Sequence, residues 1–485
     1  MTPLPRFDRY AIASAAGGRW YGTPPDEVEG LSTDTRRIAP RSLFVALSGE
    51  RFDGHAFLAE AAAKGAAAAV VSEAWLASQD PLAPSLPRGG AFPVLAVRDT
   101  LAALGALARH HRRRFGIPLI GVTGSNGKTT TREMIGAILG TRGPALKTEG
   151  NLNNEIGVPL TLLGLGPEHA RGVVELGMNH PGEIARLAAM AEPQVGVVTF
   201  AGPAHLEHMG SVDGVADAKA ELYFALPPNG IAVANADDPR MLRRAQACGR
   251  AVITFSAVRG KGDVSVLDVL EHDERGLRFT LAIGNREVEI RTPLVGLHNA
   301  SNAAAAAAAT LSLGFSDREI AEGLRAARAV GRRLRIERLP SGVTLVDDCY
   351  NANPASMTAA LATLADLARS GAPGGRAMAV LGDMLELGPG EAEAHARLGE
   401  EAAKVAALYA AFGPRSRAGA EAARAAGAAE VFHTEDLPAL VAWVTERLRE
   451  GDVLLVKGSR GMKLERLVEA LGGASPAGDG HGSHP

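Results

Sequence analysis

Leu119-Ile-Gly-Val-Thr-Gly-Ser-Asn-Gly-Lys-Thr-Thr-Thr131 is the stretch on which the fold of the chain depends. Its apolar first residues predict a buried parallel strand, Gly124 and Gly127 allow a tight loop, and a helix is expected from Thr129 onward. The N–H groups of such a loop can surround a polyphosphate, while Lys128 adds a positive charge and Thr129 a hydroxyl for Mg²⁺. The stretch therefore predicts a nucleotide site.

The spacing of this loop departs from the commonest phosphate loop. Val122 stands six residues before Lys128, where the usual pattern has Gly. A Gly-rich turn from strand to helix without a ligand is the alternative interpretation. Gly-Lys-Thr in this setting favours a variant phosphate loop, because folding alone gives little reason for that combination.

Length and composition limit the class of protein. A chain of 485 residues is long enough for about three domains. With 46% hydrophobic and 22% charged residues it is globular, and its net charge of −3 argues against broad nucleic-acid binding. Cys248 and Cys349 lack metal-ligand spacing and are expected to be reduced thiols. No apolar run resembles a signal peptide or a membrane span, so we expect a cytoplasmic protein without stable membrane insertion.

Several apolar runs in the central region end in polar residues. They are Gly172–Leu176, Gly196–Phe200 and Gly230–Asn235. In an open parallel sheet, ligands bind beyond the carboxyl ends of the strands. Glu175, His205 and Asn235 are therefore predicted to share a site with the phosphate loop, although each one alone is more often an ordinary surface or core residue.

Other polar residues of this region allow two interpretations each. The asparagines of the loop that follows Thr148 can hold phosphate or substrate groups, or simply stabilise turns. Lys219 lies on a predicted helix, where a lysine is most often solvated. The residues at the start of the alanine-rich helix can cap it or contact a nucleotide. These candidates are Asn151, Asn153, Asn154, Lys219, His298, Asn299 and Asn302.

The last third of the chain repeats an α/β pattern. Its apolar runs Val343–Asp348, Ala377–Leu381, Leu408–Phe412 and Asp452–Val456 predict a second doubly wound sheet without a phosphate loop of its own. Their polar ends would face the nucleotide if the two domains close together. Between the two regions, the alternation from residue 264 to 291 predicts antiparallel strands.

Several segments together resemble the Mur ligase family. They are Asp34-Thr-Arg36, Thr123-Gly-Ser-Asn-Gly-Lys-Thr-Thr130, Gly150-Asn-Leu-Asn-Asn-Glu-Ile-Gly-Val-Pro-Leu160, Glu175-Leu-Gly-Met-Asn179, Ala218-Lys-Ala-Glu221 and Asp347-Asp-Cys-Tyr-Asn-Ala-Asn-Pro354. The resemblance covers nearly the whole chain except its tail. Tyr350-Asn-Ala-Asn-Pro354 is the segment that best discriminates among members of the family. It resembles the segment found at this place in the members that add D-alanyl-D-alanine.

The resemblance implies an α/β protein of three domains. It implies a UDP-binding domain at residues 1–108, a central ATPase domain with a mainly parallel sheet at 109–329, and a Rossmann-like domain at 330–472. Residues 473–485 are expected to be a disordered tail. The implied reaction joins D-alanyl-D-alanine to UDP-N-acetylmuramoyl-tripeptide with ATP and two Mg²⁺ ions, and the expected oligomeric state is a monomer.

The resemblance also implies roles for individual residues. The catalytic set would be Lys128, Glu175, His205 and Lys219; the metal ligands would be Thr129, Glu175, His205 and a carbamylated Lys219. ATP would contact Gly124, Ser125, Asn126, Gly127, Lys128, Thr129, Thr130, Asn299, Asn302, Asp347, Tyr350 and Arg333, which is favoured over Arg332. The other substrates would contact Thr33, Asp34, Arg36, Asn151, Asn153, Asn154, Asn351 and Asn353.

Two other kinds of function remain open from the sequence. One is a related amide ligase, either the preceding muramoyl-peptide ligase or a folylpolyglutamate-type enzyme. The other is a nucleotide-binding scaffold or ATP-driven switch that forms no amide. Dependence of ATP turnover on both an acyl acceptor and an amine separates a ligase from a switch.

Overall fold

A computed structural model describes residues 4–49, 52–78, 92–204 and 206–472. These residues form three main sheets with helices packed against them, which confirms the predicted α/β class. The predicted domain boundaries at 108/109 and 329/330 remain predictions. The predicted disordered tail lies outside the described residues. No helix in the described ranges is both long enough and apolar enough to cross a bilayer.

The first sheet is small and mainly parallel. Across it, the strands run in the order Arg19–Tyr21, Val94–Val97, Ala68–Ser72, Leu43–Val45 and Leu31–Ser32. Only the pairing of Arg19–Tyr21 is antiparallel within this described sheet. Antiparallel pairs outside it are Arg6–Asp8 with Glu27–Glu29, and Ser48–Gly49 with Phe52–Asp53. The helices of this part are Arg9–Ala16, Leu58–Ala63, Glu73–Ala77 and Thr100–Arg112, with 3₁₀ turns at Thr35–Arg37 and Gly54–Phe57.

The central sheet places the phosphate-loop strand, Leu119–Thr123, between two parallel neighbours. The order is Leu146–Lys147, Gly172–Glu175, Leu119–Thr123, Val195–Val198, Ile231–Asn235, Ala251–Ser256, Val264–Asp273, Gly276–Ile283 and Arg286–Thr292. The strands are parallel as far as Val264–Asp273, and the last three pair antiparallel. The alternation at 264–291 thus predicted the antiparallel strands correctly. The polar ends of the parallel strands meet at one edge of the sheet.

Helices cover both faces of the central sheet. They are Lys128–Gly140, Gly157–Leu163, Glu183–Ala191, Leu206–Met209, Val212–Phe224, Pro239–Ala247, His298–Leu311 and Asp317–Ala326. The alanine run at 303–309 is fully buried within His298–Leu311, which packs against the phosphate-loop helix Lys128–Gly140. Small alanine side chains let the two helices approach closely. The alanine-rich helix expected from the sequence is therefore confirmed, and the structure shows that it is buried.

The third sheet is parallel except for one edge strand. Its order is Arg335–Arg338, Thr344–Asp348, Val453–Lys457, Ala377–Gly382, Leu408–Phe412 and Glu430–Thr434. Arg335–Arg338 pairs antiparallel with its neighbour. The helices are Pro354–Ser370, Glu391–Val405, Arg417–Ala425, Leu437–Arg447 and Glu465–Ala470, with 3₁₀ turns at Gly388–Gly390 and Arg460–Met462. Both edge strands are only partly buried, so they lack the continuous apolar run that identified the inner strands.

Candidate functional site

The phosphate loop has a backbone that glycine makes possible. Gly127 has φ of 80°, and Gly124 has φ of 153°. A Cβ atom on Gly124 would lie 1.8 Å from Thr199 Oγ1, and one on Gly127 would lie 2.4 Å from Asn302 Oδ1. Both distances are far inside van der Waals contact. The two glycines are therefore needed for the backbone path and for the close approach of neighbouring elements.

Hydrogen bonds hold the loop in place from the neighbouring strand end. The Ser125 N–H donates to the Phe200 carbonyl at 2.7 Å, and the Ser125 hydroxyl donates to the Gly202 carbonyl at 3.0 Å. The Thr199 hydroxyl donates to the Asn126 carbonyl. Because protein groups alone make these bonds, the loop is held in its shape by the fold itself and needs little reorganisation to receive a polyphosphate.

Lys128 lies inside the loop that it belongs to. Its Nζ donates to the Gly124 carbonyl at 2.6 Å, and the residue lines a cavity next to the loop. Loss of hydration lowers the pKa of Lys128, the charge of Glu175 opposes that shift, and the charge of Arg333 adds to it. An anionic phosphate would stabilise the protonated form, so bound nucleotide and a charged Lys128 favour each other.

Glu175 is the buried carboxylate beside the loop. The residue is 1% exposed, and its Oε1 accepts a hydrogen bond from Asn153 Nδ2 at 2.8 Å. Its Oε2 lies 3.3 Å from Arg132 Nη1 but has no hydrogen-bond partner among the described residues. A carboxylate oxygen left without a hydrogen bond is a suitable ligand for a hard cation. Thr129, whose hydroxyl was predicted to share that cation, is 5% exposed.

Lys219 is buried in the helix Val212–Phe224. It is 2% exposed, and no carboxylate in the described ranges forms an ion pair with it. Burial lowers its pKa well below the usual value, and the charge of Lys128 lowers it further. The prediction that a lysine here is most often solvated does not hold for Lys219. Burial and the nearby positive charge both disfavour the ammonium form relative to the neutral amine.

A pair of asparagines connects the loop with the alanine-rich helix. Asn302 Nδ2 donates to Asn299 Oδ1 at 2.8 Å, and Asn299 Nδ2 donates to the Val295 carbonyl at 2.7 Å. Asn302 Oδ1 also accepts from the Thr131 hydroxyl at 3.4 Å. Both asparagines line the cavity. They therefore brace the loop, and the cap interpretation fails for them because their side chains form no N-terminal cap bond.

The third sheet supplies the opposite wall of the cavity. Arg333 lines the cavity, and its guanidinium lies 4.1 Å from the ring centre of Tyr350. Arg332 instead donates to Asp347 at 2.8 Å and to Glu469 at 3.0 Å. The structure thus places Arg333 and not Arg332 at the cavity. A cation held against an aromatic face is fixed in position yet keeps its charge available to a phosphate.

Asp347 and Asp348 face different surroundings. Asp347 is 1% exposed and binds Arg332 and the Cys349 thiol, so it does not line the cavity. Asp348 does line it, and its Oδ2 accepts from Lys457 Nζ at 2.7 Å. The sequence predicted that the strand ends carrying Asp348 and Lys457 face the nucleotide, but neither residue was predicted as a site residue. Their position at adjacent parallel strand ends is the signal that could have found them.

Two side-chain hydrogen bonds join the phosphate loop to the start of the helix Pro354–Ser370. Asn353 Nδ2 donates to Asn126 Oδ1 at 2.7 Å, and Asn126 Nδ2 donates to Asn353 Oδ1 at 3.2 Å. Asn353 is also the N-cap of Pro354–Ser370, since its Oδ1 accepts from the Ser356 N–H at 2.9 Å. Neighbouring Asn351 lines the cavity too, and its carbonyl accepts from Lys457. The two parts of the chain are therefore in contact at the loop itself.

Some predicted residues lie apart from this cavity. Asp34 and Arg36 form a bidentate ion pair, with Nε–Oδ1 of 2.9 Å and Nη2–Oδ2 of 2.8 Å, next to Thr33 in the first sheet's loops. Asn154 Oδ1 accepts from the Gly157 N–H at 2.8 Å at the start of a helix, and Asn151 is exposed. His205 lies outside the described residues. None of the described members of this group lines the cavity.

The cavity as a whole has a volume of about 650 Å³, and Lys128 and Arg333 both line it. Its lining comes from the phosphate loop, the alanine-rich helix and the third sheet. It includes Asn235 and the candidate His298 as well as Thr199 and Ser301, which were not predicted. The size suits a nucleotide. Within the described ranges, no group of three or more His, Cys, Asp or Glu side chains could form a metal site alone. A cation here would need ligands from the nucleotide and from hydroxyl or amide groups as well.

The chain matches three parts of one protein family. Residues 27–112 match the Mur ligase family catalytic domain, residues 122–310 the Mur ligase middle domain, and residues 332–460 the Mur ligase glutamate ligase domain. Together they cover most of the chain. The phosphate loop lies in the second match and Asn353 in the third.

Relatives of known name match nearly the whole length of the chain. The chain is 41% identical over 449 residues to the UDP-N-acetylmuramoyl-tripeptide–D-alanyl-D-alanine ligase of Escherichia coli, which covers 92% of this chain and 94% of the relative. It is 38% identical to the enzyme of the same name from Bacillus subtilis, over 92% of this chain and 93% of that one.

Solved structures of MurF superpose on nearly the whole chain. MurF from Acinetobacter baumannii superposes with a TM-score of 0.86 at 34% identity, over 97% of this chain and 99% of the other. A complex of MurF ligase from Thermotoga maritima with ADP superposes with a TM-score of 0.78 at 28% identity, over 91% and 96% of the two chains. The whole architecture is therefore shared, including the relation between the sheets.

Proposed function

The chain belongs to the Mur ligase family, and on that premise we propose that it is an ATP-dependent ligase that joins D-alanyl-D-alanine to UDP-N-acetylmuramoyl-tripeptide, a step of peptidoglycan precursor synthesis. The observation that carries the proposal is the shared cavity, in which the phosphate loop and the third sheet face one another and meet at Asn126 and Asn353. The names of the relatives support the choice of substrates. The expected cellular site is the cytoplasm.

The chemistry explains why a phosphate loop belongs in an amide ligase. A carboxylate is anionic and has no leaving group, so an amine does not attack it at a useful rate. In the proposed reaction a carboxylate oxygen attacks the γ-phosphorus of ATP, the bond to the bridging oxygen breaks, and ADP leaves. The amine nitrogen then attacks the acyl carbon, the bond to the phosphate oxygen breaks, and phosphate and one proton are released.

Residues of the loop would bind and stabilise the transferring phosphoryl group. The N–H groups from Gly124 to Thr130 and the charge of Lys128 oppose its negative charge. The remaining proposed nucleotide contacts are Asn299, Asn302, Arg333 and Tyr350. Asp347 would act on the nucleotide through Arg332 and the strand end rather than by contact, since it does not line the cavity.

The residues at the loop fit a magnesium ion. Two oxygen donors are near Lys128: the Oε2 of Glu175, which accepts no hydrogen bond although it lies 3.3 Å from Arg132 Nη1, and the buried hydroxyl of Thr129. Mg²⁺ would draw negative charge away from the transferring phosphate. We assign Thr129 and Glu175 to the nucleotide's Mg²⁺, and His205 and carbamylated Lys219 to a second ion.

The environment of Lys219 supports its proposed carbamylation. Its neutral amine can attack CO₂, forming an N–C bond and losing a proton, and the product is an oxygen ligand where the ammonium is not. Enzyme equilibrated with ¹³C-labelled bicarbonate should show a carbamate carbon signal in its NMR spectrum that Lys219→Met lacks. A fully active, Mg²⁺-loaded enzyme without that signal would contradict the assignment.

The other substrate contacts are proposed by position. Thr33, Asp34 and Arg36 would bind the uridine end of the acyl substrate, and Asn151, Asn153 and Asn154 the region near the activated carboxylate. Asn153 already contacts Glu175. Asn351 and Asn353 lie where the amine would approach.

A phosphate-release assay tests the function. The enzyme receives ATP, Mg²⁺ and UDP-N-acetylmuramoyl-tripeptide, and one candidate amine at a time. We expect release with D-alanyl-D-alanine and not with diaminopimelate or glutamate. Release with either of those instead would identify another ligase of the family, and release without any amine would identify a nucleotide-driven switch.

A further inference from the structure

Arg132 is a fully buried arginine close to the phosphate loop. It lies about one helical turn after Lys128 on the helix Lys128–Gly140, and it is 0% exposed. A buried guanidinium is costly unless polar and charged groups surround it. Arg132 does not line the nucleotide cavity. Any effect that it has on a ligand must therefore pass through the groups that it contacts.

Three parts of the site surround the Arg132 guanidinium. Its Nη1 donates to the Gly150 carbonyl at 3.0 Å, and its Nη2 donates to Glu133. Nη1 also lies 3.3 Å from Glu175 Oε2. Gly150 begins the asparagine-rich loop (residues 150–154), and Glu133 lines the nucleotide cavity. The guanidinium thus contacts the substrate loop, the cavity wall and the proposed magnesium ligand at once.

The contact with Glu175 balances charge without forming a hydrogen bond. Glu175 Oε2 and Arg132 Nε both lack a hydrogen-bond partner among the described residues, while Nη1 directs a hydrogen to the Gly150 carbonyl. An arginine that bonded to Oε2 would compete with a cation for that oxygen. The observed arrangement keeps a positive charge beside the carboxylate and leaves Oε2 for a hard cation.

The same guanidinium also supports the loop that holds the other oxygen of Glu175. Asn153 Nδ2 donates to Glu175 Oε1 at 2.8 Å, and Asn153 lies three residues after Gly150 in the asparagine-rich loop. The Glu175 N–H donates to the Thr148 hydroxyl at 3.0 Å, just before that loop. Arg132 therefore acts on Glu175 in two ways, directly through its charge and indirectly through the loop.

Lys147 completes the set of buried charges. Its Nζ donates to Glu133 Oε2, so that two carboxylates and two cations alternate from Glu175 through Arg132 and Glu133 to Lys147. The side chain of Lys147 is 37% exposed, which brings this end of the series to the surface. The four charges cancel, and this balance lets Arg132 remain charged although it is buried.

We propose that Arg132 is a positioning residue for the nucleotide's Mg²⁺, which fixes Glu175 and keeps its Oε2 free for the ion. This rests on the proposed function and deepens it, since it concerns the magnesium site of that reaction. Groups that hold a metal ligand in place typically contribute 10- to 100-fold to metal affinity. Arg132 contributes without touching the nucleotide.

The test uses Mn²⁺ in place of Mg²⁺, because the EPR signal of free Mn²⁺ reports how much of it binds to enzyme with ADP. We expect Arg132→Met to weaken Mn²⁺ binding about tenfold and to leave the affinity for ADP in EDTA within twofold of wild type. Loss of a positive charge alone would tighten Mn²⁺ binding, since it removes repulsion. Arg132→Lys should recover part of the loss, because it keeps the charge but not the planar fork of donors.

Arg142→Met is the matched control. Arg142 lies at the other end of the same helix, where its Nε donates to Glu319 at 2.6 Å. It should lower thermal stability and leave Mn²⁺ affinity unchanged. A second variant combines Arg132→Met with Glu133→Gln, and so removes the buried carboxylate that Arg132→Met leaves without its arginine. We expect the same tenfold loss of Mn²⁺ affinity in this variant.

The outcomes separate this inference from the function itself. Wild-type enzyme that binds no Mn²⁺ with ADP would overturn the proposed function. Normal binding by wild type, with unchanged or tighter binding in both variants that lack Arg132, overturns the positioning role alone. An equal loss of affinity for metal-free ADP, or loss of the folded state in both variants, would show that Arg132 only supports the local structure, and either result also overturns the positioning role.

Discussion

Two lysines define the site at the scale of single residues. Lys128 is partly buried at the edge of the cavity and Lys219 is almost fully buried, and loss of hydration lowers the pKa of both side chains. They differ in their partners. Lys128 has the Gly124 carbonyl and the charge of Glu175 nearby, whereas Lys219 has Lys128 as its charged neighbour. The same side chain is therefore suited to neutralise phosphate at one position and to be chemically modified at the other.

Lys128→Ala should abolish turnover while leaving the fold intact. The side chain faces a cavity and makes one hydrogen bond to its own loop, so its loss removes no core contact. Loss of an electrostatic contact to the transition state typically costs 10²–10³-fold in kcat, roughly 3–4 kcal/mol. The measurements are phosphate release and thermal unfolding.

Lys404→Ala is the control for that variant, because Lys404 is an exposed lysine in the last turn of the helix Glu391–Val405. We expect it to turn over at the wild-type rate. Ligation by Lys128→Ala within threefold of wild type would remove Lys128 from the catalytic set.

Residue-level prediction was limited where neighbouring residues face opposite sides. Asp347 and Asp348 end the same strand, and successive side chains of a strand alternate in direction. The sequence shows two adjacent carboxylates but not which of them faces the ligand. In the structure Asp348 is the carboxylate that faces the cavity, where it accepts a hydrogen bond from Lys457. Asp347 instead accepts a hydrogen bond from Arg332. Arg332 and Arg333 also face different surroundings, but they lie in the bend before the strand Arg335–Arg338, where no periodic pattern predicts the direction of a side chain.

At the scale of elements, the helix Pro354–Ser370 links the two halves of the cavity. Its N-cap residue, Asn353, accepts both the cap bond and a bond from Asn126 through its Oδ1, and its Nδ2 donates to Asn126. The helix N-terminus, with its partial positive charge, therefore lies beside the phosphate loop. Closure of the third sheet's layer onto the loop would bring this charge toward a bound phosphate, which gives closure a source of binding energy.

Asn353→Ser tests the bridge separately from the cap. Serine is a good N-cap and keeps the helix start, but it is too short to reach Asn126. We expect unchanged thermal stability and a kcat lower by about tenfold, from loss of the paired hydrogen bonds.

Asn126→Ala removes the same bridge from the other side. If the bridge is the shared interaction, the double variant should be no slower than the slower single variant. Effects that simply multiply would show that the two asparagines act independently, and would contradict the bridge.

For the whole molecule, the contacts that could not be predicted from the sequence are those between residues far apart in the chain. The phosphate loop, its glycines, the buried alanine helix and the antiparallel strands after residue 264 follow from local patterns, because backbone geometry and side-chain periodicity act over a few residues. The carboxyl-end rule for parallel sheets also brought Glu175 and Asn235 to the loop.

The sequence by itself therefore determined how the chain can bind a nucleotide: Gly124, Gly127 and Lys128 encode the loop through local conformation and charge. Only the tertiary structure decided what meets that loop. The contact of Asn126 with Asn353 joins residues 227 positions apart, and the burial of Lys219 depends on helices packing around it. Such contacts arise from the packing of whole layers, which no local pattern in the chain specifies.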